Sequence, residues 1–268
     1  MRAVNRLILA GSAVLLAACA SSCFAVTNLD RFENSSGDSG DLSFTISGFT
    51  SHVNEMFEYR VVDASNVLQA RGIIVPLGST GTSMFARAAV PKTGGPFNLD
   101  FYSDHDLSGG YDRDPDAGTG DHSWRQPLTP DLLDGKGGYV VKYEHNYNFS
   151  VLTNPSPPRE VGQPATIRMA NMGAFLGKRV EARVAIASSG RVVALYRITT
   201  LGTPTVAVTI PGMMENGDAY LVEIYTDSGS ANPGTPRAFR FPATAGVAGL
   251  DVAFDPGAAP EVSDAPPP

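Results

Sequence analysis

The chain has 268 residues, 43% of them apolar, and a formal net charge of −7. A chain of this length can bury two hydrophobic cores of ordinary size, so two domains are the expected organisation. The acidic balance argues against nucleic acid and anionic membrane surfaces as binding partners.

The first 25 residues have the features of a signal segment. Arg2 and Arg6 give a basic start, and the apolar run from Leu7 to Leu16 is too short to span a bilayer. Removing residues 1–25 takes away two arginines and no acidic residue, so the formal charge changes from −7 to −9. The sequence therefore predicts an exported protein whose fold begins after this segment.

Both cysteines, Cys19 and Cys23, lie within this segment, so the fold that follows needs no disulfide. Residues 16–19 (Leu-Ala-Ala-Cys) resemble the bacterial lipobox, in which the cysteine is acylated and becomes the mature N-terminus. This resemblance implies lipidation of Cys19 and an anchor in the cell envelope, at the outer membrane, with the lipid as the only membrane contact. Cleavage after Ala25 is the alternative and implies a periplasmic or secreted protein.

The remainder of the chain divides by composition into five parts. They are a polar tether at 26–41, a first domain at 42–152, a proline-rich linker at 153–164, a second domain at 165–256 and a disordered tail at 257–268. In the first domain, apolar and polar residues alternate, as in Phe97 to Tyr102, which is the period of a half-buried strand. Further strands are expected at about 67–75, 82–88, 122–128 and 138–150. No segment has a helical period over three turns, so the fold is predicted to be all-β.

The two domains are related by an internal repeat. Residues 44–61 (FTISGFTSHVNEMFEYRV) align without gaps on residues 167–184 (IRMANMGAFLGKRVEARV), and FNLDFYSD at 97–104 aligns on YLVEIYTD at 220–227. Seven or so strands in each copy predict two tandem antiparallel β-sandwiches, either immunoglobulin-like or cupredoxin-like. The second copy is a degenerate version of the first.

All four histidines of the protein lie in the first copy. They are His52, His105, His122 and His145. In the second copy, Phe175 stands in the place of His52 and Ser228 in the place of His105. Counting strand reversals puts the four histidines at the same end of the first sandwich, so a shared metal site is predicted there. Imidazoles without a thiolate suit copper(II), zinc, nickel or iron, with Met56 and Glu144 as possible extra ligands. The alternative is four histidines on a solvated rim.

The loop from Asp104 to Arg125 also predicts a calcium site, because it contains six aspartates between two strands. The oxygen donors fall at the spacing of an EF-hand-like loop: Asp104, Asp106, Ser108, the carbonyl of Gly110 and Asp112. Position 12 is Pro115 in place of the usual glutamate, so Asp114 or Asp116 would have to substitute. The alternative is an acidic turn that is kept soluble by its charges. Trp124, the only tryptophan, aligns with Phe239 and is expected to anchor the core.

Motifs for catalysis are missing from the sequence: it has no G-x-S-x-G elbow, phosphate-binding glycine loop, Rossmann fingerprint or H-E-x-x-H. A non-catalytic role is therefore favoured over a metal-dependent enzyme. The main hypothesis is an exported, lipid-anchored protein with a copper or zinc site at the histidines. The alternative is a structural or adhesive surface lipoprotein with a calcium-stabilised loop and no transition metal. The sequence does not indicate a protein partner.

Overall fold

The structure, a computed structural model, describes residues 39–79, 81–113, 120–145, 152–227 and 236–262. The predicted signal segment, the lipidation site Cys19, and Asp114 and Asp116 of the loop lie outside these residues. All the described residues belong to one compact unit.

Fifteen strands and three short 3-10 helices make up the described parts of the chain. The strands of the first half are β1 (Ser39–Ser47), β2 (Phe57–Asp63), β3 (Leu68–Val75), β4 (Thr82–Pro91), β5 (Phe97–Ser103), β6 (His122–Pro127) and β7 (Tyr139–Glu144). Those of the second half are β8 (Gln163–Met169), β9 (Val180–Ile186), β10 (Val192–Ile198), β11 (Val206–Met214), β12 (Ala219–Thr226), β13 (Arg237–Thr244), β14 (Leu250–Phe254) and β15 (Glu261–Val262). The 3-10 helices are Thr50–His52, Pro130–Leu132 and Met172–Phe175.

In the described residues, each half is a sandwich of a three-stranded sheet on its own part of a large sheet, to which the first half contributes four strands and the second half five. The small sheets have the strand orders β4-β1-β7 and β11-β8-β14. The large sheet has nine strands, in the order β15-β13-β12-β9-β10-β3-β2-β5-β6. In the first half, the ring of Phe44 from β1 contacts those of Phe57 and Phe101 on the facing sheet. Apolar residues of β8, β14, β9 and β12 form the corresponding core of the second half.

The all-β class, the sandwich architecture and the internal repeat are confirmed. Strands β1 to β7 correspond in order and pairing to β8 to β14, and the 3-10 helix at Thr50–His52 corresponds to that at Met172–Phe175. The strand order differs from that of an immunoglobulin constant-type sandwich, in which the first, second, fifth and fourth strands share a sheet. Here the first strand of each half lies between the fourth and the seventh strands and pairs with both.

Among the described strands, three pairings are parallel, in contrast to the antiparallel pattern expected: β1 with β7, β8 with β14, and β3 with β10. Successive strands reverse direction, so the first and seventh strands of a half run the same way and pair in parallel when they are neighbours. The pairing of β3 with β10 joins the two halves into one continuous sheet. Arg197 of β10 adds a hydrogen bond of 2.6 Å from Nη1 to the carbonyl oxygen of Ser83.

The division of the chain into tether, two domains, linker and tail stays a prediction. The structure differs from it locally at the tether and at the tail. Strand β1 begins at Ser39, inside the predicted tether. The predicted disordered tail includes β15, which pairs with β13 and whose Glu261 accepts hydrogen bonds from Arg237 at 2.9 and 3.0 Å. Within the proline-rich linker, Arg159 exchanges backbone hydrogen bonds with Asn66 and Leu68, so the linker is fixed to the start of β3.

Buried ion pairs recur at equivalent places in both halves. Glu58 accepts hydrogen bonds from Arg60 at 2.6 Å and from the hydroxyl of Tyr102 at 2.9 Å. Glu181 likewise accepts a hydrogen bond of 2.6 Å from Arg183. Because the pair is present in the half without histidines, it belongs to the shared scaffold and not to the histidine site.

Candidate metal centre

His52 lies in the 3-10 helix that follows β1 and is only 1% exposed. The end of β1 runs close to the end of β7, where the amide of His145 donates a 2.8 Å hydrogen bond to the carbonyl of Ser47. Gly48 permits this approach, because a Cβ there would lie 2.5 Å from the carbonyl oxygen of His145. Its φ of 75° is also in the region that favours glycine. His52 and His145 are thereby brought to the same end of the sandwich.

The ends of β5 and β6 bring the other two histidines to this site. Ser103, the last residue of β5, is paired with His122, the first residue of β6. His105 follows Ser103 by two residues, and its ring stacks on that of His122 with centroids 4.5 Å apart and planes at 17°. The loop between these strands therefore begins and ends at the site.

His52 is at the centre of the four imidazole rings. Its ring centroid is 5.9 Å from that of His105, 5.1 Å from that of His122 and 5.1 Å from that of His145. One ring nitrogen from each of His52, His105 and His122 lies within 4.8 Å of the others, which is close enough for three ligands of a single ion. His145 lies beside His52 but is not part of that group of three. The structure thus places all four histidines at the common rim that strand parity predicted.

Glu55 fixes two of the imidazoles. Its carboxylate lies 2.8 Å from Nδ1 of His52, 3.0 Å from Nδ1 of His105 and 2.5 Å from the hydroxyl oxygen of Ser103. Burial opposes ionisation of Glu55, but hydrogen bonds from His52, Ser103 and His105 outweigh burial and lower its pKa to about 2. Glu55 is therefore an anion at neutral pH.

The anionic state of Glu55 decides which ring nitrogens are free. An ionised carboxylate only accepts hydrogen bonds, so both Nδ1 atoms carry hydrogen, and in the neutral rings both Nε2 atoms keep a lone pair. Nε2 of His52 is buried and has no hydrogen-bond partner among the described residues. A carboxylate that holds the far nitrogen of a histidine is the usual outer support of a metal-binding imidazole.

The surroundings of two of the rings, those of His122 and His145, favour the neutral, metal-binding form. Burial and the nearby His52 lower the pKa of both His122 and His145. Phe49 and Trp124 form an apolar wall, with ring centroids 5.1 Å and 5.4 Å from that of His145. On the other side, the side chain of His105 is 44% exposed, so solvent reaches the site there.

The two possible extra ligands, Met56 and Glu144, do not share the surroundings of the histidines. Met56 packs its side chain against the large apolar cluster that includes the core of the second half. Glu144 is exposed, and the alternation of side chains along a strand directs it away from the face of its neighbour His145.

Three carboxylates of the loop form a second group. Oxygens of Asp104, Asp106 and Asp121 lie within 4.8 Å of one another. Asp121 also ties the loop together, since its Oδ1 accepts the amide of His105 at 3.0 Å and its Oδ2 accepts the amide of Asp112 at 2.8 Å. Burial, together with the charges of Asp104 and Asp106, raises the pKa of Asp121 to about 6.

Only part of the predicted EF-hand-like donor set comes together in the structure. Asp104 and Asp106 meet each other, but their third partner is Asp121, which the spacing argument did not include. The hydroxyl of Ser108 donates to the carbonyl of Gly110 at 3.1 Å, and Asp112 is exposed.

Sequence reasoning missed Glu55 and Ser103 at the histidine site and Asp121 at the loop. For Glu55 a signal was present: the gapless repeat alignment sets it against Lys178, so the second copy lacks this carboxylate just as it lacks His52. Ser103 aligns with Thr226, which keeps the hydroxyl and gives no such contrast.

Comparison with protein-family models gave no match, and neither did comparison with curated proteins. Among solved structures, the chain is similar to the fimbrial anchor protein Mfa2 from Porphyromonas gingivalis, with 9% identity, 69% of this chain and 77% of that chain covered, and a TM-score of 0.24. It is also similar to a candidate cell adhesion protein from Bacteroides eggerthii, with 12% identity, coverage of 79% and 81%, and a TM-score of 0.26. Likeness at this level assigns no function to the chain. Within the described residues, no helix has the length and apolar character needed to span a membrane.

Proposed function

We propose that this protein is an exported metal-binding β-sandwich protein that holds a copper or zinc ion between His52, His105 and His122. The observation that carries the proposal is the buried Nε2 of His52, which has no hydrogen-bond partner among the described residues while Glu55 holds the opposite nitrogen of the ring. A buried polar atom without a partner is costly unless a ligand satisfies it.

The donor set indicates the class of metal. Neutral imidazole nitrogens bind copper(II) and zinc well, whereas magnesium and calcium prefer oxygen. Three histidines leave a fourth position open, and the exposed His105 lets a ligand or a partner protein reach it. Metal storage, delivery or sensing in the cell envelope would use such a site. Lipidation at Cys19 would hold the protein at the membrane surface.

The test is metal binding by purified protein and by a His52→Phe variant. The second half supplies the reason for this substitution, because Phe175 occupies the equivalent place and is buried there. Trp124, the only tryptophan, has its ring centroid 6.1 Å from that of His52, so copper(II) binding should quench its fluorescence. Quenching at one equivalent and its loss in His52→Phe are expected.

Glu144→Gln is the matched control, since Glu144 is exposed and next to His145 in sequence. It should bind metal as the unaltered protein does. Absence of copper and zinc binding in the unaltered protein, with the fold intact by circular dichroism, would overturn the proposal.

A structural or adhesive role at the cell surface is the second candidate function. It is favoured by the way the loop after β5 is fixed to the rim while presenting Leu107, a residue that is 71% exposed. In this role, calcium would stiffen the loop and the histidines would bind no transition metal. Leu107→Ser would then abolish attachment of the protein to its surface partner while leaving copper and zinc titrations unchanged. Attachment that is unaffected by Leu107→Ser would count against this role.

A further inference from the structure

We propose that Asp104, Asp106 and Asp121 form a second cation site, built from oxygen ligands and suited to a hard divalent ion such as Ca²⁺. The site lies beside the histidines and would hold a different ion from the one proposed there. It also differs from the EF-hand-like donor set, because Asp121, from the far end of the loop, replaces Ser108, Gly110 and Asp112.

The geometry of Asp104 carries this inference. The residue is 3% exposed, and its Oδ1 is buried without a hydrogen-bond partner among the described residues. Its other oxygen, Oδ2, accepts the amide of Gly109 at 3.0 Å. Oδ2 of Asp104 thus holds the loop, whereas Oδ1 is left without a partner. The carboxylate of Asp104 also lies next to those of Asp106 and Asp121.

The charges at this point need compensation. Three carboxylate oxygens lie within 4.8 Å of one another, and none of the ion pairs formed among the described residues involves these three aspartates. Asp104 and Asp121 are buried, and grouping like charges where water is largely excluded is unfavourable unless a cation or a proton neutralises them. A calcium ion, which takes several carboxylate and carbonyl oxygens, fits that requirement.

The backbone around the aspartates is already arranged for a bound ion. Asp121 is 2% exposed and receives amide hydrogens from both His105 and Asp112, so its position is fixed from two sides of the loop. Oδ1 of Asp106 accepts the amide of Ser108 at 3.0 Å. Because Asp106 itself is exposed, an ion could enter from solvent on that side.

The experiment is calcium titration by calorimetry of chelator-treated protein, with Ca²⁺ alone as the probe. Asp104→Asn keeps an oxygen that can accept the amide of Gly109 and removes one negative charge, so the fold should be retained. We expect calcium affinity to fall about tenfold or more in Asp104→Asn and in Asp106→Asn, because affinity follows the number of charged ligands. Calcium should also raise the melting temperature of the unaltered protein more than that of Asp104→Asn.

Asp112→Asn is the matched control from the same loop. It should leave calcium affinity unchanged, whereas a loss comparable with that of Asp104→Asn would overturn the proposed ligand set. Failure of the unaltered protein to bind calcium at millimolar concentration would overturn the site itself. His52→Phe should bind calcium normally, so the outcome does not depend on whether the histidines bind copper or zinc.

Discussion

Glu55 and His52 are joined by a 2.8 Å hydrogen bond between a buried carboxylate oxygen and Nδ1 of the imidazole. The other oxygen of the same carboxylate reaches Nδ1 of His105 at 3.0 Å. One side chain thus sets the orientation and the tautomer of two histidines that come from different loops. Glu55 is a positioning residue for the proposed ion rather than a ligand of it.

Replacing Glu55 by glutamine should weaken zinc binding by about 10–100-fold, the usual effect of removing the carboxylate that supports a metal-binding histidine. Glutamine has one oxygen and one amide nitrogen, so it can accept from only one of the two Nδ1 atoms. Competition with a chromophoric chelator measures the change, and Glu144→Gln provides the comparison. Equal zinc affinity in Glu55→Gln and Glu144→Gln would contradict the positioning role.

Replacing Glu58 by glutamine should lower the free energy of unfolding by about 3–5 kcal/mol, because it leaves buried arginine charges without their partner. Arg71, which is 2% exposed, loses its 3.0 Å contact with Glu58. Glu160 also pairs with Arg71, but its side chain is 49% exposed, so Glu160→Gln should cost less than about 1 kcal/mol. Urea unfolding of both variants measures the difference. Similar losses of unfolding free energy in Glu58→Gln and Glu160→Gln would show that burial does not determine the strength of these ion pairs.

The same carboxyl group predicts how stability depends on pH. Burial raises the pKa of Glu58, but the charges of Arg60 and Arg71 outweigh burial and lower it below the usual 4.5. A carboxyl whose pKa is lowered in the folded state stabilises the protein at pH values above the pKa that the group has in the unfolded chain. This contribution is lost progressively as the pH falls from that value through the pKa of the folded state. Unfolding free energies measured between pH 7 and pH 3 should therefore converge for the unaltered protein and Glu58→Gln. A constant difference over this range would be evidence against the lowered pKa.

Thermal unfolding should show a single transition for both halves of the protein. The parallel pairing of β3 with β10 continues one sheet through both sandwiches, and Arg197 crosses the junction to Ser83. Differential scanning calorimetry tests this by comparing the calorimetric with the van't Hoff enthalpy, which are equal for a two-state unit. Two resolved transitions would instead support the independent domains predicted at 42–152 and 165–256.

Gly72 should not tolerate alanine. It lies in β3 opposite Tyr59 of β2, and a Cβ at this position would clash with the ring of Tyr59. Because Tyr59 is 1% exposed and packed in the core, the ring has little room to move, and a cost of about 1–3 kcal/mol is expected. Gly78→Ala is the control, since a Cβ there meets no atom within 4 Å. Thermal denaturation of the two variants should separate them clearly.

The sequence by itself determined the strands, the repeat and the uneven distribution of histidines. Alternation of apolar and polar residues is a local signal, so predicted strands such as 67–75 and 82–88 agree closely with β3 and β4. The repeat gave an internal comparison, in which the Glu58–Arg60 pair is kept as Glu181–Arg183 while His52 becomes Phe175. Strand reversals then placed the four histidines at one rim.

Only the tertiary structure decided which groups touch. The hydrogen bonds of Glu55 to His105 and of Asp121 to the amide of His105 join residues 50 and 16 positions apart, and such contacts depend on how loops fold over the strand ends. The parallel junction of β3 with β10 is equally non-local, because it pairs residues of different halves, such as Arg71 and Ala194. Periodicity specifies which face of a strand is buried, whereas pairing partners and loop contacts follow from packing of the whole chain.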